Sequence, residues 1–77
     1  GPADIPLFES LRALRKRLAD ERGVPPSVIF GDATLLEMSR RRPGNESELL
    51  DIGGVGQVKL ERHGADFLAA IAAAGDG

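Results

Sequence analysis

A glycine-rich turn between two helical patterns is the stretch of this sequence best suited to bind an anion. Gly53, Gly54 and Gly56 can adopt the positive φ angles that other residues avoid. The helix that restarts after them exposes backbone N–H groups and the positive end of its dipole, and both favour a phosphate. Lys59 follows within the first turn of that helix. The pattern therefore predicts a phosphate-binding turn formed by Gly54, Gly56 and Lys59.

The basic residues are clustered, although the chain as a whole is slightly acidic. Ten basic and twelve acidic residues give a net charge of −2, the opposite of the basic footprint of a dedicated nucleic-acid binder. The clusters are Arg12, Arg15, Lys16 and Arg17; Arg40, Arg41 and Arg42; and Lys59 with Arg62. Three consecutive arginines at a helix end can either offset the helix dipole or contact DNA phosphates. The sequence leaves both interpretations open.

No group of residues has the spacing of a catalytic or metal centre. The glycine turn lacks the Gly-Lys-Ser/Thr spacing that holds a nucleotide and its magnesium ion. Carboxylate pairs such as Glu46 and Glu48 fall in hydrophilic stretches, where a solvated helix surface is expected and not an acid–base pair. His63 has no companion histidine or carboxylate motif, so we expect a surface or helix-end residue. These observations predict a non-catalytic domain without cofactor or metal.

Length and composition favour one small domain. A chain of 77 residues buries only about 60% of its unfolded surface, which leaves little room for a catalytic cleft. The absence of cysteine excludes disulfides and thiolate metal sites. No apolar run could cross a bilayer, so we expect an intracellular, monomeric domain without membrane contact. We interpret residues 1–77 as one domain, with 1–4 as a tag remnant and linker and 75–77 as a tail.

Apolar residues at helical spacing predict an all-α fold, a compact bundle of about five helices without a sheet. The first helix begins after a cap at Asp4, ends near Arg22, and carries an apolar stripe. The residues of that stripe are Leu7, Leu11, Leu14 and Leu18. Gly23 ends this helix, and two prolines then predict an extended turn over residues 24–27. Residues 28–30 are expected to point inward.

The remaining helices are predicted from their caps and breaks. Asp32 is expected to cap a helix over residues 33–41 that buries Leu35, Leu36 and Met38. Asn45 and Glu48 are expected to cap one another at the start of a short helix over 46–51. After the turn, a helix over 57–63 would bury Val58 and Leu60. Gly64 is expected to interrupt the pattern before a last helix over 65–74.

Three segments of the chain resemble the HRDC domain, the module named for helicases and RNase D. They are residues 7–19, the run Pro-Pro-Ser-Val-Ile-Phe-Gly-Asp-Ala-Thr-Leu at 25–35, and residues 49–68 around Gly-Gly-Val-Gly-Gln-Val-Lys-Leu. Their order and spacing agree with the family over about residues 7–71. The resemblance implies a helical bundle with a helix-hairpin-helix-like glycine turn.

The resemblance also implies a function as an accessory part of a larger protein. HRDC domains occur at the carboxyl end of RecQ-type DNA helicases, where they tune which DNA structures are bound and unwound, and in RNase D-type nucleases. The first two segments look most like a bacterial RecQ. Many HRDC domains carry an aromatic residue where this chain has Ser27, and tyrosine or phenylalanine in place of His63. With no free ring for base stacking, we expect weak, sequence-neutral DNA binding.

Two kinds of function are compatible with these residues. In the first, the domain contacts DNA through Arg40, Arg41, Arg42, Gly54, Gly56, Lys59 and Arg62. In the second, it docks on the catalytic core of its parent helicase or on another protein through Glu46, Asp51, Glu61 and Asp66. The sequence does not decide between phosphate contact and protein docking.

Overall fold

The computed structural model describes residues 2–75, which form five α-helices and contain no strand. The helices are α1 (Ile5–Arg22), α2 (Pro26–Ile29), α3 (Asp32–Arg41), α4 (Glu46–Leu50) and α5 (Gln57–Gly75). The predicted all-α fold of about five helices is confirmed. Gly1 of the expected tag remnant and residues 76–77 of the expected tail lie outside the described residues.

Helix α1 is the central element, because it packs against α2, α3 and α5. The Asp4 side chain accepts a hydrogen bond from the backbone N–H of Leu7 at 3.0 Å, so the predicted cap is present. Gly23 ends the helix in a left-handed conformation with a φ of 67°. Three leucines of the predicted stripe are buried, whereas Leu14 is half-buried at the edge of the core.

Part of the segment after α1 is helical, which corrects the predicted extended turn at residues 26–27, whereas Pro25 is extended as predicted, with a φ of −61° and a ψ of 148°. Pro26 occupies the first turn of α2, where a missing N–H removes no hydrogen bond. The single turn also changes which side chains point inward. Ile29 and Phe30 are fully buried, but Val28 is 42% exposed, so its expected burial is wrong.

Helix α5 runs without interruption through Gly64, which corrects the predicted break between 57–63 and 65–74. Gly64 is buried, and an added Cβ would lie 2.9 Å from Cδ1 of Leu60 and 3.8 Å from Cδ2 of Leu49. The residue therefore leaves room for the Leu60 side chain of its own helix, contacts α4 at ordinary van der Waals distance, and does not end a helix. Val58 is 64% exposed in the first turn of α5, contrary to the expected burial, whereas Leu60 is buried as predicted.

The caps of α3 and α4 agree in part with the sequence. Gly31, not Asp32, is the N-cap of α3, and Asp32 is its first helical residue. Asn45 caps α4 as predicted, by accepting from the N–H of Glu48 at 2.9 Å. The reciprocal bond is shifted by one residue, because Glu48 Oε1 accepts from the N–H of Gly44 at 2.7 Å. The prediction that the Glu48 side chain caps Asn45 is therefore wrong, because it caps Gly44 instead.

The core is built around two phenylalanines in edge-to-face contact. The ring centroids of Phe30 and Phe67 lie 5.0 Å apart at an angle of 84°. Every element contributes to the apolar residues around them, which are Leu7, Leu11, Leu18, Ala19, Ile29, Leu35, Met38, Leu49, Ile52, Val55, Leu60 and Ile71. Leu36, expected in the core, is only half-buried.

Arg15 belongs to the core rather than to a basic surface. Its guanidinium donates from Nη1 to the backbone carbonyl of Phe30 at 3.1 Å, and the same nitrogen forms an ion pair with the Asp32 carboxylate at 2.8 Å. The side chain is buried, and its Nε has no hydrogen-bond partner in the described part of the chain. Arg15 thus joins α1 to the start of α3, which removes it from the basic cluster seen in the sequence.

We predict that Phe67→Ala lowers the free energy of unfolding by about 3–5 kcal/mol, because it leaves a cavity beside Phe30. Leu14→Ala should have a smaller effect, since the leucine is only half-buried. Val58→Ala is the control and should change stability by no more than about 0.5 kcal/mol. Urea denaturation of the three variants measures these differences. Equal losses for Phe67→Ala and Val58→Ala would contradict the assigned core.

Candidate nucleic-acid interface

The arginine triplet lies where α3 ends, and its three side chains have different partners. Arg40 pairs with Glu37 at 2.9 Å, and Arg42 pairs with Asp4 at 3.1 Å. Arg41 donates to the backbone carbonyl of Asp51 at 3.3 Å, a partner without charge. The carboxylates of Glu37 and Asp4 offset the charges of Arg40 and Arg42. Arg41 therefore retains the most positive charge of the triplet.

The glycine turn lies alongside α3 and is attached to it by two contacts. The Asp51 carbonyl receives Arg41 at one end, and the hydroxyl of Thr34 donates to the Gly53 carbonyl at 2.8 Å at the other. No sequence pattern indicated Thr34, which is buried and lies 19 residues from its partner. These contacts fix the turn against the side of α3.

Only one glycine of the turn requires a conformation that other residues avoid. Gly54 has a φ of 90°, whereas Gly53 and Gly56 do not have positive φ values. A Cβ on Gly54 would also collide with the Thr34 hydroxyl, while a Cβ on Gly53 or Gly56 would meet nothing within 4 Å. The expectation that all three glycines adopt positive φ angles is therefore wrong, since only Gly54 does so. Gly56 directly precedes α5, and its carbonyl accepts from the N–H of Leu60 at 2.9 Å.

Lys59 and Arg62 lie apart from the arginine triplet. The Lys59 ammonium is 5.6 Å from the centroid of the Phe30 ring, next to the start of α3. The triplet lies at the other end of α3, which has ten residues and is therefore about 15 Å long. The structure thus divides the predicted DNA-contact residues between two surfaces, with the glycine turn between them.

His63 is buried within α5, which corrects the expectation of a surface residue. Its side chain is 5% exposed, and its ring meets the ring of Phe30 edge-on at a centroid distance of 6.3 Å. Nη1 of Arg22 lies 3.3 Å from Nε2 of His63. Because a guanidinium can only donate, Nε2 is the acceptor and the proton of the neutral imidazole is on Nδ1.

Arg22, Lys59 and Arg62 surround His63, and we call these four residues the histidine face. Burial lowers the pKa of His63 below its ordinary value of 6.5, and the charges of Arg22, Arg62 and Lys59 lower it further. Asp66 opposes them by favouring the protonated ring. Sequence analysis missed Arg22, because it precedes His63 by 41 residues and ends a different helix.

The four acidic residues considered for docking are all exposed and are distributed over two helices. Glu46 lies in the first turn of α4, and Asp51 follows its last residue. Glu61 and Asp66 lie on α5, where Glu61 accepts from the side-chain amide of Gln57 at 3.5 Å. Leu50 and Val58, which flank the glycine turn, are 39% and 64% exposed. Exposed apolar and acidic residues therefore lie near one another along the chain on both sides of this turn.

Residues 2–75 contain neither a membrane-spanning helix nor a cluster of metal ligands. None of their helices combines the length and apolar character needed to cross a bilayer. Within the same range, no three histidine, aspartate or glutamate side chains are grouped so that they could hold a metal ion.

Comparison with known proteins identifies relatives among DNA helicases. The HRDC domain model matches residues 4–71. The ATP-dependent DNA helicase RecQ of Haemophilus influenzae is 50% identical over 68 residues, and that of Bacillus subtilis is 54% identical over 67 residues. These matches cover 88% and 87% of this chain but only 11% of each helicase.

The solved structure titled D. radiodurans RecQ HRDC domain 3 has the same fold. It superimposes with a TM-score of 0.89 at 38% sequence identity, and the match covers 92% of this chain and 93% of that domain. The five-helix arrangement described above is therefore the arrangement of a known HRDC structure.

We predict that Gly54→Ala destabilises the domain by about 1–2 kcal/mol or more, because an L-residue at a φ of 90° is strained and its Cβ displaces Thr34. Gly53→Ala is the matched control, since its Cβ meets no atom within 4 Å and its φ is not positive. Thermal unfolding of both variants makes the comparison. Equal melting temperatures would show that Gly54 is not a required backbone position.

The stability of the folded domain should depend on pH through His63. The folded domain holds the pKa of His63 below 6.5, so the unfolded chain binds more protons and stability is lost as pH falls through this window. We expect the urea midpoint to rise between about pH 5 and pH 7. His63→Gln, which can still accept from Arg22, should flatten this rise. An unchanged slope in the variant would assign the dependence to other groups.

Proposed function

Because this chain belongs to the HRDC domain family, we propose that it is a non-catalytic accessory module of a RecQ-type DNA helicase. In this proposal the module makes weak, sequence-neutral contacts with DNA phosphates and so changes which DNA structures the helicase binds and unwinds. The two RecQ relatives and the RecQ domain structure support a helicase parent over an RNase D-type nuclease. The chain matches about a tenth of the length of these helicases, so catalysis would belong to other parts of the parent.

The observation that carries the DNA contact is the environment of Arg41. Its guanidinium is exposed and has a carbonyl, not a carboxylate, as its partner. A phosphate can therefore approach a guanidinium without a carboxylate hydrogen bond at the junction of α3 and the glycine turn, where Glu48 and Asp51 line the same surface pocket. Arg40 and Arg42 would add to the attraction, although Glu37 and Asp4 reduce their effect. The exposed glycines Gly54 and Gly56 would let the DNA backbone approach closely.

Charge and aromatic content both support weak binding. A net charge of −2 opposes the approach of DNA. Phe30 and Phe67 are buried and Phe8 is half-buried, so within residues 2–75 no phenylalanine ring offers a free face for a base. We expect dissociation constants of about 10⁻⁴ to 10⁻⁶ M, as for non-specific contact. Covalent linkage to a helicase raises the effective concentration, so contacts this weak can still affect the choice of DNA structure.

Protein docking is the second candidate function, and the exposed apolar residues at the turn favour it. Leu50 and Val58 lie next to Asp51 and Glu61, respectively, within three residues along the chain. Such an area suits a partner with an apolar centre and a basic rim, such as a basic surface of the helicase core. Glu46 and Asp66 would extend the acidic border.

We predict that Arg41→Gln lowers the affinity of the domain for DNA and reduces its salt dependence. Loss of one phosphate contact should decrease the slope of log K against log salt by about 0.7 for single-stranded DNA and about 0.9 for duplex DNA. Fluorescence anisotropy of labelled oligonucleotides at several salt concentrations measures the slope.

Arg17→Gln is the matched control for this prediction. It removes the same charge from an exposed arginine of α1 that pairs with Glu21 at 3.3 Å. The control should leave the slope unchanged. Equal effects of the two variants would show that only net charge matters. Absence of any salt-dependent binding by the unmodified domain would contradict direct contact and favour docking.

A further inference from the structure

The lysine and arginine side chains of residues 2–75 divide into those that form ion pairs and those that do not. The paired residues are Arg12, Arg15, Lys16, Arg17, Arg40 and Arg42. The others in this part of the chain are Arg22, Arg41, Lys59 and Arg62. Apart from Arg41, every one of these belongs to the histidine face.

Two elements bring the cations of the histidine face together. Arg22 comes from the last turn of α1, and its guanidinium is held by His63 at 3.3 Å. Lys59 and Arg62 are three residues apart on α5 and therefore lie on the same side of that helix. The ring of Phe30 supports Lys59 at 5.6 Å and contributes no charge. Arg22 and Lys59 are thus held by contacts that leave donors free, and Arg62 adds its charge from the residue next to His63.

Unpaired like charges in one place repel one another unless an anion lies between them. Asp66 is the acidic residue of the described chain that acts on His63, and it forms no ion pair there with the three cations. We propose that Arg22, Lys59 and Arg62 bind a backbone phosphate of nucleic acid on the histidine face. This site is separate from Arg41 and rests on the proposed function for the identity of its ligand.

Guanidinium groups suit a phosphate because their planar N–H groups can contact two of its oxygens. Arg22 uses Nη1 for His63, so its remaining N–H groups are available to a ligand. A strand that contacts both this face and Arg41 would follow α3, whose length of about 15 Å separates the two positions. Two phosphate contacts at that separation would orient a strand along the domain.

Occupancy of this site is linked to the proton on His63. A phosphate offsets the three cations that disfavour the imidazolium, so binding raises the pKa of His63. By the same linkage, affinity increases as pH falls toward and through that pKa. On protonation Nε2 becomes a donor, which releases Arg22 from its acceptor and frees the guanidinium for the phosphate. The charged groups that face His63 are Arg22 from α1 and Lys59, Arg62 and Asp66 from α5.

The sole histidine of the chain makes the test direct, because its ring signals in an NMR spectrum are unambiguous. We would titrate His63 in the unmodified domain with no ligand, with a short oligothymidylate, and with inorganic pyrophosphate, all at one ionic strength. We expect the oligonucleotide to raise the pKa of His63. Arg62→Gln should reduce the salt slope of oligonucleotide binding by about 0.7 and weaken this rise.

Two matched variants separate this inference from the proposed function. Arg41→Gln should weaken oligonucleotide binding but leave the rise in the pKa of His63 at saturation, and Arg17→Gln should change neither. If the oligonucleotide binds with normal salt dependence while the pKa of His63 stays constant, the histidine face is not a phosphate site, although DNA contact elsewhere survives. If pyrophosphate raises the pKa and the oligonucleotide does not, the assignment to nucleic acid is overturned.

Arg22→Gln provides a second measurement on the other helix. Arg22 is exposed, so its loss should leave the fold intact and remove one cation from the face. We expect weaker oligonucleotide binding and a smaller rise in the pKa of His63. Full retention of both by Arg22→Gln and by Arg62→Gln would overturn the proposal.

Discussion

The buried guanidinium of Arg15 is the interaction on which the rest of this domain depends. It fixes the carbonyl of Phe30 and the carboxylate of Asp32, and so determines where the chain enters α3. Asp32 is 77% exposed, so one partner keeps its water and the cost of burying the pair is reduced. With its backbone held, the ring of Phe30 can pack against Phe67 and His63 of α5. One hydrogen-bonded cation thus aligns α1, α3 and α5.

Sequence patterns correctly predicted several helix caps and stops, which depend on residues nearby in the chain. They failed for burial and contacts that depend on residues far away in the chain. The caps at Asp4 and Asn45 and the stop at Gly23 are local, and the structure contains all three. The expectation of a surface or helix-end position for His63 is wrong, because α5 continues through Gly64. Without a break there, Leu60, His63 and Phe67 share one face of a continuous helix, and burial of the histidine follows from its spacing. Residues buried only through a distant partner, such as Thr34, leave no such pattern.

Clusters of basic residues along the chain did not predict which cations are free to bind a ligand. Most cations of α1 and α3 have a carboxylate three or four residues away, and the resulting pairs could have been read from the sequence. Arg15 was assigned to a basic cluster although it lies at helical spacing from Leu11 and Leu18, a position that indicates burial. The grouping of Arg22 with Lys59 and Arg62 could not be predicted, because it arises from the crossing of α1 and α5.

The short helix α4 has a further consequence for how the domain moves. Five residues are far fewer than the roughly 12–15 that an isolated helix needs in water, so α4 is held by its cap and by the packing of Leu49 beside Gly64. Its amide protons should therefore exchange with solvent when α4 separates from α5, well before the whole domain unfolds. The glycine turn follows α4 directly and is held on α3 by Thr34 and Arg41, so these contacts also restrain α4. Any ligand that holds this turn against α3 would slow exchange in α4 without touching it.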